Sequence, residues 1–342
     1  MCASWSRPIP GELLSSYVMR QAIAHGSSAD RFTRLVLPHS SVWNRDLDVC
    51  AGSEFMSALC ASSGHPPELL DELTLYRWAE VTRRSEVRTK GVYHWIGCLG
   101  LYHRTRRLHG QAFCPDCLGE YGGFLRQWRL SFWTVCPFHR RLLMDACPHC
   151  GAVVQPHRQD FDLRLCWSCS GDLTSCSPVC AVPTASQGLL FNALVGPSDW
   201  LEPCNFRCSG RQLLWGADVL LSAFYGHGRQ EEQASDEHSR VEKRRIELRH
   251  ADMELLDSLL AADARTIGPV AAGYHVTQRC FRQEMPGWLQ SLVALLPTGR
   301  VNKGFAAGRR EIKAVVDAQR SRAPGWQELR ADLLFKMIGR RA

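Results

Sequence analysis

Nowhere in these 342 residues does an apolar run reach the length of a membrane-spanning helix, and no positively charged start leads into an apolar stretch and a cleavage site. The expectation is a soluble, intracellular chain that contacts no membrane. Motifs of the common catalysts are missing too. There is no phosphate-binding G-x-x-x-x-G-K-[ST], no G-x-G-x-x-G after a strand, no G-x-S-x-G and no H-E-x-x-H. Carboxylates are present without nuclease-like clustering, and His25, His39, His65 and His227 stand isolated, reading as surface or packed histidines. An enzyme is not expected. Nor is the composition extreme: 45% hydrophobic and 22% charged residues place the chain among ordinary globular proteins, long enough for two or three domains. The net charge of +7 permits contact with nucleic acid without demanding it.

What the sequence does have is cysteine, sixteen in all, and seven of them lie between Phe113 and Ser170. Cys114 and Cys117 form a C-x-x-C pair, and Cys136 with His139 forms C-x-x-H after 18 intervening residues, 118–135. Cys147 and Cys150 follow, then Cys166 and Cys169 after 15 residues, 151–165. Each pair holds two soft ligands on a tight turn, and two pairs together make the tetrahedral shell of a structural zinc site. Disulfides, iron–sulfur ligation and unpaired thiols are the competing readings. Disulfides suit small secreted domains, and scattered core thiols would not repeat one spacing four times. Two structural Zn²⁺ ions are therefore expected, each with four protein ligands and no open position for a catalytic water. The thiolates would leave net charges of about −1 and about −2. Arg126, Arg129, Arg140, Arg141, Arg158 and Arg164 either neutralise that charge or are solvated. Trp128, Phe132 and Trp133 at helical spacing predict a finger helix that carries Cys136 into place. Cys176, Cys180, Cys204 and Cys208 either make a third site or stay unpaired.

Before this core, apolar periodicity predicts helices over Glu12 to Ala24, Ala29 to Val36, Ser53 to Ala61 and Pro67 to Leu75. They form either a helix-turn-helix or a plain helical cap. Residues 83–110 turn basic and aromatic, facing nucleic acid or wrapping as a linker. After the core come helices over Gln187 to Leu194, Arg211 to Tyr225 and Ala251 to Ala262, with a charge-mixed, solvated run from Arg229 to His250 between the last two. Ile267 to Met285 reads as a second helix-turn-helix or a plain helical hairpin. In the first case a helix begins at Thr277 and Gln278, Arg279, Arg282 and Gln283 face outward as DNA contacts. The tail from Arg300 to Ala342 is basic.

The expected fold is mainly α with small zinc-ribbon or zinc-finger elements. An N-terminal helical, helix-turn-helix-like segment with its basic aromatic linker spans 1–110, the tandem zinc core 111–172, and a C-terminal helical domain with the candidate second helix-turn-helix 173–342.

Pro10-Gly11-Glu12-Leu13-Leu14-Ser15-Ser16-Tyr17 resembles the opening P-G-E-S-L-x-S-W motif of the TniQ/TnsD family of transposon target-selection proteins. The run Phe113-Cys114-Pro115-Asp116-Cys117, then Trp128-Arg129, Cys136-Pro137-Phe138-His139-Arg140-Arg141-Leu142-Leu143 and Cys147-Pro148-His149-Cys150-Gly151 resembles that family's zinc core. Leu13 and Tyr17 depart mildly, standing where Ser and Trp are commoner. The resemblance covers roughly the first half of the chain. It implies a non-enzymatic target-selection adaptor of a Tn7-like DNA transposon. Such an adaptor marks target DNA directly or through an RNA-guided CRISPR effector complex and recruits the transposon's AAA+ ATPase. It further implies a bacterial cytoplasmic protein, nucleoid-associated when bound, and a homodimer in some members. Only the opening motif and the eight zinc ligands carry over. A zinc-containing transcription regulator, or a metal-dependent nuclease or hydrolase, is the alternative from the residues alone.

Overall fold

The computed structural model describes residues 5–83, 93–177, 179–196, 207–227, 240–261, 267–273, 276–281 and 283–298. The described chain is mostly helical, with two short antiparallel hairpins, as the periodicity predicted. It divides into two compact units.

The first unit comprises Met1–Pro183 with Glu242–Glu247. Its N-terminal helices are α1 (Leu14–Ala24), α2 (Ala29–Val36), α3 (Leu47–Cys50), α4 (Ser53–Ser63), α5 (Pro67–Asp71) and α6 (Tyr76–Thr82). Four of the six stand where expected, and their boundaries have local causes. Ser28 accepts a hydrogen bond from the Arg31 N–H and so caps α2, with Asp30 in its first turn. Gly64 closes α4 at φ 69°, and Pro66 and Pro67 open α5. Hairpin β1–β2 (Leu101–Tyr102 and Thr105–Arg106) follows, then α7 (Pro115–Tyr121) and hairpin β3–β4 (Val135–Cys136 and Arg141–Leu142).

One apolar core runs from α1 into the cysteine-rich region. Leu13, Leu14, Tyr17 and Val18 are buried alongside Phe113, Phe124, Trp128 and Trp133. Phe124 meets Phe113 and Trp128 edge-on at 6.3 and 6.1 Å. The opening motif joins the two parts. The Glu12 carboxylate, fully buried, accepts from the Ile9 N–H, the Ser16 hydroxyl and the Arg20 guanidinium at 2.7–2.9 Å. The Leu13 N–H donates to the Phe124 carbonyl, and the Arg126 N–H to that of Gly11. Gly123 makes the approach possible, because a Cβ there would lie 2.9 Å from Glu12 Oε1. Deeper in, Arg129 is enclosed and donates to Asp46 and Asp48 at 2.6–3.2 Å, while Asp48 also accepts from the Ser15 N–H and hydroxyl. A buried charge of this kind persists only when paired and hydrogen-bonded.

Two expectations in this unit need correction. No helix carries Trp128, Phe132 and Trp133; a single 3-10 turn, Arg126–Arg129, leads through the bridging Leu130 into a second turn closed by the Trp133 N–H on the Leu130 carbonyl. All three rings and the Leu130 and Arg129 side chains between them are buried, which a helix with one solvent-facing side does not produce. The backbone pairs with another segment instead: Leu130 bridges Ile96, and the Ser131 N–H donates to the Trp95 carbonyl at 2.8 Å. The run expected to be solvated from Arg229 to His250 is not so in its described part. Glu242 is buried and accepts from the Trp95 N–H with its carboxylate and from the Cys98 N–H with its carbonyl, both at 2.8 Å. Charge alone did not make this segment a surface, because backbone donors were available to satisfy it.

The second unit takes in the described parts of Thr184–Val241 and Leu248–Leu333. Its helices are α8 (Ala185–Val195), α9 (Gly210–His227), α10 (Ile246–Leu260), α11 (Ile267–Gly273) and α12 (Gly287–Val293). Thr184 caps α8, and Asp257 of α10 accepts from the Ala185 and Ser186 N–H groups at 2.9 and 2.6 Å. The expected second helix from Thr277 is absent, replaced by a 3-10 turn over Gln278–Cys280. The cause is the return of the segment that follows α12: the Gln278 N–H donates to the Pro297 carbonyl, and its side-chain amide to those of Ala294 and Leu296 at 3.2 and 2.9 Å. Helix resumes only after Pro286.

Candidate metal centres

The first centre is assembled from a helix start and a hairpin. Cys114 precedes α7 in extended conformation, Pro115 sets the first turn, and Cys117 follows one turn on. Cys136 ends β3, and His139 lies in the turn to β4. The halves are locked by reciprocal hydrogen bonds between the backbones of Phe113 and Met144, each 2.8 Å. Cys117 Sγ lies 3.6 Å from Cys136 Sγ, and His139 Nδ1 lies 3.6, 3.2 and 3.6 Å from the sulfurs of Cys114, Cys117 and Cys136. A tetrahedral Zn²⁺ with ordinary bond lengths places S···S edges near about 3.8 Å and S···N edges near about 3.6 Å. The fit is close. The same distances are far too long for disulfides.

His139 is oriented from outside this shell. Its Nε2–H donates to Glu120 Oε1 at 3.0 Å, which leaves Nδ1 free to ligate. Glu120 sits one turn after Cys117 on α7. Next to the centre, the buried Arg141 donates to Asp116 at 2.8 Å and to Cys176 Sγ at 3.3 Å.

The second centre is made of two matching knuckles. In the first, the Cys147 N–H donates to the Ala152 carbonyl and the Gly151 N–H to that of Cys147; in the second, Cys166 pairs likewise with Gly171, and Ser170 with Cys166. Gly151 and Ser170 take positive φ, 70° and 58°, at equivalent positions. The amides of His149, Ser168 and Gly171 donate to the sulfurs of Cys147, Cys166 and Cys169 at 3.3–3.4 Å. Across the knuckles, Cys147 and Cys169 stand 3.7 Å apart, and Cys150 and Cys166 3.8 Å. This too is the edge of a zinc–sulfur tetrahedron. Cys150 and Cys169 are exposed, whereas all three cysteines of the first centre are buried.

All eight expected ligands are therefore gathered into two groups that could each hold a metal ion. Five of the six arginines that were candidates for neutralising the centres are engaged elsewhere, and the sixth, Arg140, is exposed in the turn of hairpin β3–β4, where its N–H donates to the Cys136 carbonyl at 2.9 Å. Arg129 pairs with Asp46 and Asp48, Arg141 with Asp116 and Arg164 with Asp162, while Arg126 and Arg158 lie over the rings of Trp78 and Trp167. No group of potential ligands among the described residues includes Cys176, Cys180 or Cys208, and Cys204 lies outside those residues. Of the candidate DNA contacts, Gln278 is engaged as described, Arg279 and Gln283 are exposed, and Arg282 lies outside the described residues, as does the basic tail. Sequence reasoning missed Glu120, although its position one turn beyond Cys117 was a usable signal. It also missed Asp46 and Asp48, whose link to Arg129 has no local signature. No described helix is long and apolar enough to cross a membrane. Residues 4–143, which contain the opening motif and the whole first centre, match the family model TniQ. No curated protein matches the chain.

Proposed function

We propose that this chain, whose residues 4–143 match the transposition-associated TniQ family model, is a non-enzymatic target-selection adaptor stapled by two structural zinc ions. On this reading it engages target DNA, directly or through an RNA-guided CRISPR effector complex, and recruits an AAA+ ATPase that brings the transposase. The observation that carries the reading is the family match falling on the unit in which helices and metal ligands share one core. Such a unit can hold a target and a partner in fixed relation, and four-ligand metal centres leave no open coordination position for catalysis. Metal supplies folding free energy here, since a shell of thiolates and imidazole does not preassemble in an unfolded chain. Three segments, 1–110, 111–172 and 173–342, would divide the labour among target contact, metal scaffold and partner contact. The protein would act in the bacterial cytoplasm, at the nucleoid when bound, as a monomer or homodimer.

The test is capture of the tagged, zinc-loaded chain with the ATPase encoded beside it, with and without target DNA or the guided complex. Nucleotide-dependent retention of the ATPase supports the adaptor reading. Retention of neither ATPase nor target, or cleavage of labelled DNA in Mg²⁺, overturns it. Metal analysis should return two zinc ions per chain.

A further inference from the structure

Hairpin β1–β2 turns through His103 and Arg104, both non-glycine residues in the left-handed region at φ 44° and 66°. Two-residue hairpin turns of this hand favour Asn-Gly because side chains crowd there. Strain of this kind persists only where the surroundings impose it, and it gathers at working surfaces. Here the surroundings do impose it. The buried His157 donates from Nε2 to the Arg104 carbonyl at 2.8 Å, and Gln155 Oε1 accepts from the Arg106 N–H at 3.1 Å. His157 in turn stacks on Trp43 with ring centres 5.3 Å apart. The tip is thus held rigid while its side chains stay in solvent: Tyr102 is 55% exposed, and the Arg107 guanidinium lies 4.3 Å over its ring.

The same tip is tied to α2. Arg104 pairs with Asp30 at 3.0 Å, and Asp30 pairs with Arg34 at 3.0 Å. Ala29, Phe32 and Thr33 bury the opposite side of α2, which leaves Arg31 and Arg34 outward on the side of Asp30. Arg34 and Arg104 therefore meet at the Asp30 carboxylate, joining helix to ribbon, with Arg31 exposed on the same helix and Arg107 exposed over Tyr102 on the ribbon. Guanidinium forks match phosphate geometry, and a helix and a two-stranded ribbon are both elements that dock on a duplex.

We propose that the outward side of α2 and the tip of hairpin β1–β2 form one surface that grips the phosphate backbone of duplex DNA. This rests on the reading of the chain as a protein that contacts target DNA, and it locates that contact. Duplex is favoured over single strands because Arg107 already covers one side of the Tyr102 ring, where an unpaired base would stack.

The experiment measures anisotropy of a labelled duplex against the full, zinc-loaded chain over a salt series. The variant Arg31→Gln/Arg34→Gln/Arg104→Gln/Arg107→Gln should bind on the order of 100-fold more weakly at moderate salt, and the slope of log K against log salt should shrink by about 3–4. Arg309→Gln/Arg310→Gln in the basic tail should leave that slope component in place. Should the fourfold variant misfold, Arg31→Gln and Arg107→Gln singly should each lower the slope by about 1. Unchanged affinity and slope in the variants, with the parent chain binding duplex, would overturn the surface and leave the target-DNA reading standing. A parent chain that shows no salt-dependent duplex affinity, or prefers single-stranded RNA, while still retaining the ATPase would remove the surface and leave only the route through a guided complex.

Discussion

The two metal-ligand sets use nearly the same donors and nearly the same spacing, yet they sit differently in the first unit. The first is threaded through the core: its three thiols are buried, Phe113 beside Cys114 packs on Phe124, and its histidine is oriented by Glu120. The second is a pair of self-contained knuckles, with two of its four cysteines exposed and its sulfurs satisfied by amides from within their own turns. Equal coordination chemistry can therefore hold unequal amounts of structure. What a metal stabilises depends on how many other elements lean on its ligands.

The sharpest way to break this contrast is to remove one ligand from each centre. Cys117→Ala should leave the first unit unfolded, because metal contributes about 10–16 kcal/mol in isolated fingers and a whole domain is stable by only about 5–15 kcal/mol. Cys169→Ala should lose one zinc and the order of its ribbon while the α1 core survives. Zinc content and proteolytic protection of residues 14–63 would read this directly; equal collapse of both variants would abolish the distinction.

A smaller effect separates buried from exposed charge. Arg129→Met leaves Asp46 and Asp48 without their guanidinium and should cost about 3–5 kcal/mol in denaturant unfolding. Arg164→Ala, whose pair with Asp162 is largely exposed at the second centre, should cost no more than about 1 kcal/mol. Similar losses would mean that the Arg129 network is not the link between the helices and the metal region. Glu120→Gln should lower metal affinity at the first centre by about 10–100-fold in chelator competition, with the second centre unmoved. Loss of affinity at both centres would show them coupled.

The mildest test uses pH. Burial, with Arg106 nearby, pushes His157 down to about 3. It therefore stays neutral in the folded chain while the unfolded chain protonates near the ordinary value of about 6.5. Below that value the unfolded state binds the extra proton, so stability is full above it and falls as pH drops toward 3, by about 2 kcal/mol at pH 5. Metal ligands also titrate with acid, and the comparison with His157→Gln, which keeps a donor for the Arg104 carbonyl, isolates this contribution. Parallel pH profiles for the two proteins would remove His157 as the cause.

Much of the molecule was legible residue by residue. The ligand pairs announce themselves because both members of each knuckle lie on one turn, and α1, α2, α4 and α5 follow from apolar periodicity, caps and prolines. Less legible were segments whose state depends on distant partners. Trp128, Phe132 and Trp133 have helical spacing, but their backbone pairs with 95–97 and forgoes the helix. Thr277 has the look of a helix start, but Gln278 is drawn to the end of α12. The link from Ser15 to Asp48 spans 33 residues, that from Asp48 to Arg129 spans 81, and that from Trp95 to Glu242 spans 147.

Local chemistry in the chain thus determined which residues can ligate metal, where most helices begin and end, and the overall basic balance. Only the tertiary structure decided that the helices and the first centre share a core, that the opening motif is the clasp between them, and that a strained arginine hairpin stands beside α2. The physical reason is range. A cap, a knuckle or a helical stripe is satisfied within a few residues of itself, whereas a buried carboxylate or guanidinium must be paired by whatever the folded chain brings to it.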